Sequence, residues 1–282
     1  MTAASQTQAD FAEIQARVSG SSFYMAMLLM PKAERMAMFA IYGFCRLVDD
    51  IADDGTRPRP ERAKALDRWR ADIAALYAGK PAGQAGFLDS ARRDFKLREA
   101  DFLAVIDGME MDVAADIRAP DLETLDLYCE RVASAVGRLS IRIFGMDDKP
   151  GFALAHELGR ALQLTNILRD IDEDAGLGRL YLPREALLHA GITSDDPNRV
   201  IAERALPKVC LPLAQRAKSH FEKSDEIMNR NKRRLVRAPR IMSKYYHSIL
   251  DLLIARGFTA PREPVRVSKI TRILILLRYA LI

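Results

Sequence analysis

Apolar residues recur three and four positions apart through 33–51, 62–77, 100–117, 122–144, 152–171, 200–229 and 241–255. That is the spacing of helices that bury one side. Between these stretches lie "GTRPRP", "GKPAGQAG", "RAPD", "GMDDKPG", "DPN" and "RAPR", where Gly and Pro interrupt regular backbone. No alternation of β-branched and polar residues runs long enough to make a sheet strand. The pattern predicts an all-α chain of roughly eight to ten helices. No repeat, low-complexity tract or long linker divides it, so residues 19–282 are expected to form one domain behind a flexible extension over 1–18.

Composition narrows the function classes. The net charge is +5 and 29% of the residues are charged, ordinary for a globular protein. The local basic run "NRNKRRLVRAPR" at 229–240 has no interleaved aromatics and no nucleic-acid-binding motif, so no nucleic-acid partner is expected. Cys45, Cys129 and Cys210 are far apart among apolar neighbours and read as small hydrophobes in a reducing compartment. The N-terminus lacks a secretory apolar region and no stretch reaches the ~20 apolar residues needed to span a bilayer. The expected location is the cytoplasm. The last segment, "VSKITRILILLRYALI", places Ile270, Ile273, Leu274, Leu277 and Leu281 on one helical face. That face either docks on the core or lies in a membrane interface as a peripheral contact.

Two acidic stretches break the ordinary pattern. In "LVDDIADDG", Asp49 and Asp53 are four apart and so share one side of a helix. Upstream on that side are Met38, Tyr42 and Cys45. Like charges at this spacing destabilise a helix, and anions are disfavoured near its C-terminus. In "NILRDIDEDAG", Asn166, Asp170 and Asp174 repeat the spacing, with Gln163 and Gly159 upstream. Such faces need a counter-charge. Magnesium uses one or two carboxylates together with phosphate oxygens and water, so two such helices facing each other would hold magnesium around a diphosphate. Arg46, Arg169 and Arg179 stand beside the clusters. They are either surface ion pairs of little worth or ligands for phosphate oxygens the metal leaves free.

These stretches resemble the squalene/phytoene synthase family of head-to-head prenyl transferases. The resemblance covers nearly the whole chain from about Ser19: "SGSSFYMAMLLMPKAERMAMFAIYGFCRLVDDIADD", "YCERVASAVGRLSIRIFG" and "LGRALQLTNILRDIDEDAGLGRLYLP". Within the family, "AIYGFCRLVDDIADD" and "RDIDEDAGLGRLYLPREAL" are most similar to the bacterial enzymes that stop at presqualene diphosphate for squalene and hopanoid biosynthesis. The resemblance implies a helical isoprenoid-synthase bundle around a central cavity, and condensation of two farnesyl diphosphates to presqualene diphosphate. It implies Asp49, Asp53, Asn166, Asp170 and Asp174 as ligands of three magnesium ions that carry a diphosphate. Ser22, Tyr42, Arg46, Gln163, Arg169, Arg179 and Tyr246 are implied near the substrates, with Tyr42 a catalytic candidate. NADPH is not expected.

Two positions depart from the family pattern. Arg131 stands where members that run on to squalene or phytoene carry a second tyrosine in "YC–Y–VAG", which fits a reaction stopping at the cyclopropane. Pro264 replaces an arginine, for which Arg262 or Arg266 would have to substitute. Open alternatives are a squalene synthase using NADPH, a phytoene synthase acting on geranylgeranyl diphosphate and, more distantly, a non-catalytic helical binding subunit. Phe23, Met27, Phe39, Leu139, Ile143 and Leu164 read individually as ordinary core, although apolar residues between the clusters are expected to line a channel.

Overall fold

A computed structural model describes residues 22–280. It is all-α as expected, with one parallel bridge pairing Arg118 with Leu180. In chain order the helices are α1 (Ser22–Leu28), α2 (Lys32–Asp53), α3 (Arg59–Tyr77), α4 (Asp89–Phe95), α5 (Glu99–Ala114), α6 (Leu122–Cys129), α7 (Ala135–Ile143), α8 (Asp148–Arg169), α9 (Ile171–Gly176), α10 (Arg184–His189), α11 (Pro197–Ala202), α12 (Leu206–Asn229), α13 (Arg233–Arg256) and α14 (Lys269–Ala280). The expected extension over 1–18 lies outside the described residues.

The segments outnumber the expectation because continuous periodicity hides short breaks. The stretch 122–144 is one rod whose middle, Glu130–Ser134, is a π-turn, the single-turn widening often found at functional sites. The stretch 200–229 divides between α11 and α12 at 203–205. In the other direction, "RAPR" is not a break. Pro239 sits buried inside α13, because the hydrophobic face on both sides of it, from Val236 to Leu253, outweighs the lost backbone hydrogen bond.

The helices enclose two hydrophobic cores. One joins α2, α3, α5 and α7, with Phe44 edge-on to Trp69 and Phe102 at centroid distances of 5.5 and 5.2 Å. The other joins α6, α8, α12 and α13. Val132 and Phe144 pack against both cores and also line a cavity of about 600 Å³. The cavity therefore lies along the seam between the cores. Gly159 makes the seam close: a Cβ there would sit 2.8 Å from the Ser134 backbone, so α8 meets the π-turn only without a side chain. Among the described residues no helix is long and apolar enough to cross a membrane.

Candidate active site

Both acidic stretches open into this one cavity. Its lining includes Asp49 and Asp53 from α2, Asn166 and Asp170 from α8 and the turn after it, and Asp174 from α9. On each main lining helix the polar residues gather at one end and the apolar ones at the other. Along α2 the order is Met38, Ile41, Tyr42, Cys45, Arg46, Asp49, Asp53; along α8 it is Leu154, Ala155, Leu158, Gly159, Leu162, Gln163, Asn166, Ile167, Arg169. At about 1.5 Å rise per residue, Met38 to Asp53 spans roughly 22 Å of helix. The result is an apolar chamber with a charged end.

The second stretch does not lie on a single helix. Asp170 departs from helical dihedrals (φ −98°, ψ 12°) and separates α8 from α9. Its N–H still donates to the Asn166 carbonyl at 2.8 Å, and the Asp174 N–H to the Asp170 carbonyl at 2.8 Å. The spacing that aligns the three side chains survives the break.

Each arginine beside the clusters has a defined task. Arg46 Nη1 donates to Asp49 Oδ2 at 2.7 Å, with Asp50 further away at 3.6 Å. Arg169 grips Asp170 through two parallel bonds of 2.7 and 2.6 Å and hydrogen-bonds Tyr246. Arg179 reaches across from the turn after α9 to Asp53 at 2.6 Å and to the Ala52 carbonyl at 3.1 Å. Its side chain is only 10% exposed, so it is no plain surface ion pair. It ties the two acidic stretches together.

Negative charge nevertheless remains in excess. Burial, reinforced by Asp53, pushes the Asp49 carboxyl up to about 6, against the opposing pull of Arg46. Burial and Asp170 together push Asp174 up to about 7. Asn166 Oδ1 is buried with no hydrogen-bond partner while its amide donates weakly to Gln163 at 3.4 Å. Among the described residues no three acidic, histidine or cysteine side chains converge tightly enough to hold a metal unaided. An unsatisfied oxygen and two under-neutralised carboxylates suit a hard cation that brings oxygen ligands of its own, as magnesium diphosphate does.

The other expected residues are placed as follows. Tyr42, Gln163 and Tyr246 line the chamber. The side chains of Ser22 and Phe23 lie outside the described residues. Met27 lines the chamber, whereas Phe39, Leu139 and Ile143 are buried core away from it and Leu164 likewise. Arg131 is half-buried and is not part of the lining, which takes Tyr128 and Val132 from the same segment. Arg262 is also set aside. It ion-pairs with Asp172 and donates to the Ile201 and Phe258 carbonyls, so it braces the outside of the second stretch. Asp54 caps the end of its helix, accepting from the Thr56 N–H at 2.9 Å and from Arg57 at 2.5 Å. Cys45, Cys129 and Cys210 are free, and burial holds each thiol up near 12.

Asp112, Tyr128 and Tyr181 form a polar group in the lining that the sequence does not single out. Asp112 shares an otherwise apolar face of α5 with Val105 and Met109, a legible anomaly. The tyrosines sit inside the quoted "YCERVAS" and "GRLYLP", where spacing alone gives them no role.

A helical chamber with facing carboxylates and arginines at one end defines an isoprenoid-synthase type of site. Residues 16–271 match the family described as squalene/phytoene synthase, and the chain belongs to that family. It is 64% identical over 262 residues to a presqualene diphosphate synthase of Sinorhizobium fredii, covering 93% of this chain and 94% of that one. It is 62% identical over 263 residues to the presqualene diphosphate synthase of Rhodopseudomonas palustris, with the same coverage. Among solved structures it resembles a dehydrosqualene synthase in complex with ligand at TM-score 0.82 and 25% identity, covering 98% of this chain and 96% of that one.

Proposed function

We propose that this chain condenses two molecules of farnesyl diphosphate head to head into presqualene diphosphate, releasing diphosphate, and stops there without NADPH. The observation that carries this is a single chamber with an apolar interior whose charged end holds both acidic stretches and Arg46, Arg169 and Arg179. The identity to two presqualene diphosphate synthases over more than nine-tenths of the chain supports the choice of substrate and product. Residues 19–282 act as one domain in this reading.

Asp49, Asp53, Asn166, Asp170 and Asp174 would hold magnesium. When bound, magnesium supplies positive charge to the oxygens of the leaving diphosphate. Arg46, Arg169 and Arg179 add fixed positive charge at the same end, arranged before the carbon–oxygen bond breaks. The farnesyl chain lies along Met27, Met38, Ile41 and Leu158, away from water that would capture the allylic cation. The C2–C3 double bond of the second farnesyl diphosphate attacks that cation. Proton loss closes the cyclopropane, and either the departing diphosphate or the Tyr42 hydroxyl accepts the proton.

A peripheral membrane contact belongs to the same proposal. The apolar face of α14 does not dock on the core: Ile270, Ile273, Leu274 and Leu277 are 52–72% exposed. The helix is held instead by Ile275, Leu276 and Tyr279, and its exposed cations are Lys269, Arg272 and Arg278. Such a face suits an anionic bilayer, which would also dissolve the product. Flotation with vesicles containing anionic lipid should carry the protein, and Ile273→Glu with Leu274→Glu should abolish it. Equal flotation of that variant would exclude this surface.

The activity is tested by incubating the protein with magnesium and farnesyl diphosphate, with and without NADPH, and identifying products by mass spectrometry. Presqualene diphosphate in both cases is expected. Squalene formed with NADPH, or turnover of geranylgeranyl diphosphate alone, would overturn the proposal.

A further inference from the structure

Asp112 is 4% exposed, yet it lines the chamber. Both of its carboxylate oxygens are taken by phenols: Tyr181 donates to Oδ1 at 2.6 Å and Tyr128 to Oδ2 at 3.0 Å. The two rings stack at a centroid distance of 4.9 Å. A phenol has one proton to give, so with both protons directed at Asp112 the 3.4 Å approach between the hydroxyls is the weaker competitor. The phenol oxygens are left as acceptors only. Burial pushes the Asp112 carboxyl above its ordinary range, while the hydrogen bond from Tyr181, the Arg179 guanidinium and the hydrogen bond from Tyr128 pull the other way and favour the carboxylate.

The location of this group matters as much as its charge. Tyr181 is two residues beyond Arg179, which grips Asp53. The turn between them is fixed by backbone bonds of Leu180 to Ile117 and Ala119 at 2.7 and 2.9 Å. The chain there is anchored on one side to the first acidic stretch and on the other to Asp112. On α5 the same helix face continues from Asp112 into Met109 and Val105. Asp112 and its tyrosines therefore stand where the charged end gives way to the apolar chamber.

We infer that Asp112 is a positioning residue that presents Tyr128 and Tyr181 to the chamber as a negative, acceptor-only wall facing the carbon that becomes positive on ionisation. The inference rests on the proposed reaction. When the allylic carbon–oxygen bond breaks, its electron pair leaves with the diphosphate and positive charge remains on the prenyl group. A fixed negative group on the chamber wall lowers the energy of that state without reorganising. Holding both phenol protons on Asp112 also keeps them from the cation's neighbourhood, where a free hydroxyl would recruit water.

The test compares Asp112→Asn and Tyr181→Phe with the natural protein, using farnesyl diphosphate and magnesium. Turnover should fall about 10²- to 10³-fold in Asp112→Asn, the scale expected for losing one preorganised electrostatic group, while KM changes little. Prenyl alcohols formed when water captures the cation should rise as a share of product in both variants. A purely structural role would lower the melting temperature and leave the ratio of alcohols to presqualene diphosphate unchanged. If Asp112→Asn folds and keeps the natural turnover and product ratio, the inference is wrong. Should Asp112→Asn fail to fold, an unchanged product ratio in Tyr181→Phe overturns it alone. Absence of turnover in the natural protein would instead defeat the proposed reaction.

Discussion

The two acidic stretches have the same i, i+4 spacing but unequal charge balance. On α2, Asp49 has its own arginine three residues earlier and Asp53 has Arg179 from across the site. On the other side Arg169 saturates Asp170, and among the described residues no arginine or lysine forms an ion pair with Asp174. Both sides retain one carboxyl held above its ordinary range, and the less compensated Asp174 is pushed further, to about 7 against about 6 for Asp49. The protein's own arginines pair with two carboxylates of the first stretch and with one of the second, and each stretch keeps one carboxyl in excess. Similar motifs can thus divide the work of one site unevenly.

The largest expected effect is on turnover. Asp49→Asn and Asp174→Asn should each lower kcat by about 10³ or more, since groups acting as a unit fail together. Near-natural turnover in one of them would mean that its stretch is not part of the clamp. A smaller effect separates the arginines. Arg179→Lys replaces a guanidinium that reaches both Asp53 and a backbone carbonyl with a single ammonium. It should cost about 10²-fold in kcat, whereas Arg46→Lys, a more exposed local pair, should cost about tenfold. The reverse order would contradict the cross-linking role of Arg179.

The smallest effect is on stability and has the opposite sign. Asp174 has a raised carboxyl pKa in the folded chain, so its ionised form is disfavoured by folding. The favourable proton binding is present at low pH and is lost as pH rises through about 7. Without divalent cations, Asp174→Asn should therefore be more stable than the natural protein at pH 8. The gain should be on the order of 1 kcal/mol after allowing for solvent screening, and should fade as pH drops below 7. Thermal melts across that range check it; a destabilised variant at pH 8 would refute the excess-charge account. Active sites commonly hold such costs in exchange for function.

Much of this was legible in the residues. Helical period, the absence of strand alternation and the two acidic faces were on the surface of the sequence, and Asp49, Asp53, Asn166, Asp170 and Asp174 do open into one cavity. Tertiary packing decided the rest. Pro239 sits inside a helix because its neighbours are buried on both sides, and Asp170 interrupts one although the periodicity continues through it. Arg131 and Arg262 looked interpretable by motif position, yet one is absent from the lining and the other is committed to Asp172. Asp112 shows the converse. One aspartate on an apolar helix face marks a buried charge, but its tyrosine partners lie 16 and 69 residues away and no local pattern pairs them.

The two unequal stretches are proposed to act as one clamp for magnesium diphosphate. The most direct measurement is titration calorimetry of a non-ionising farnesyl thiodiphosphate with and without magnesium, on the natural protein, Asp49→Asn and Asp174→Asn. The account predicts tight binding only with magnesium, lost to a similar extent in both variants. Equal affinity without magnesium, or natural affinity in either variant, would contradict it.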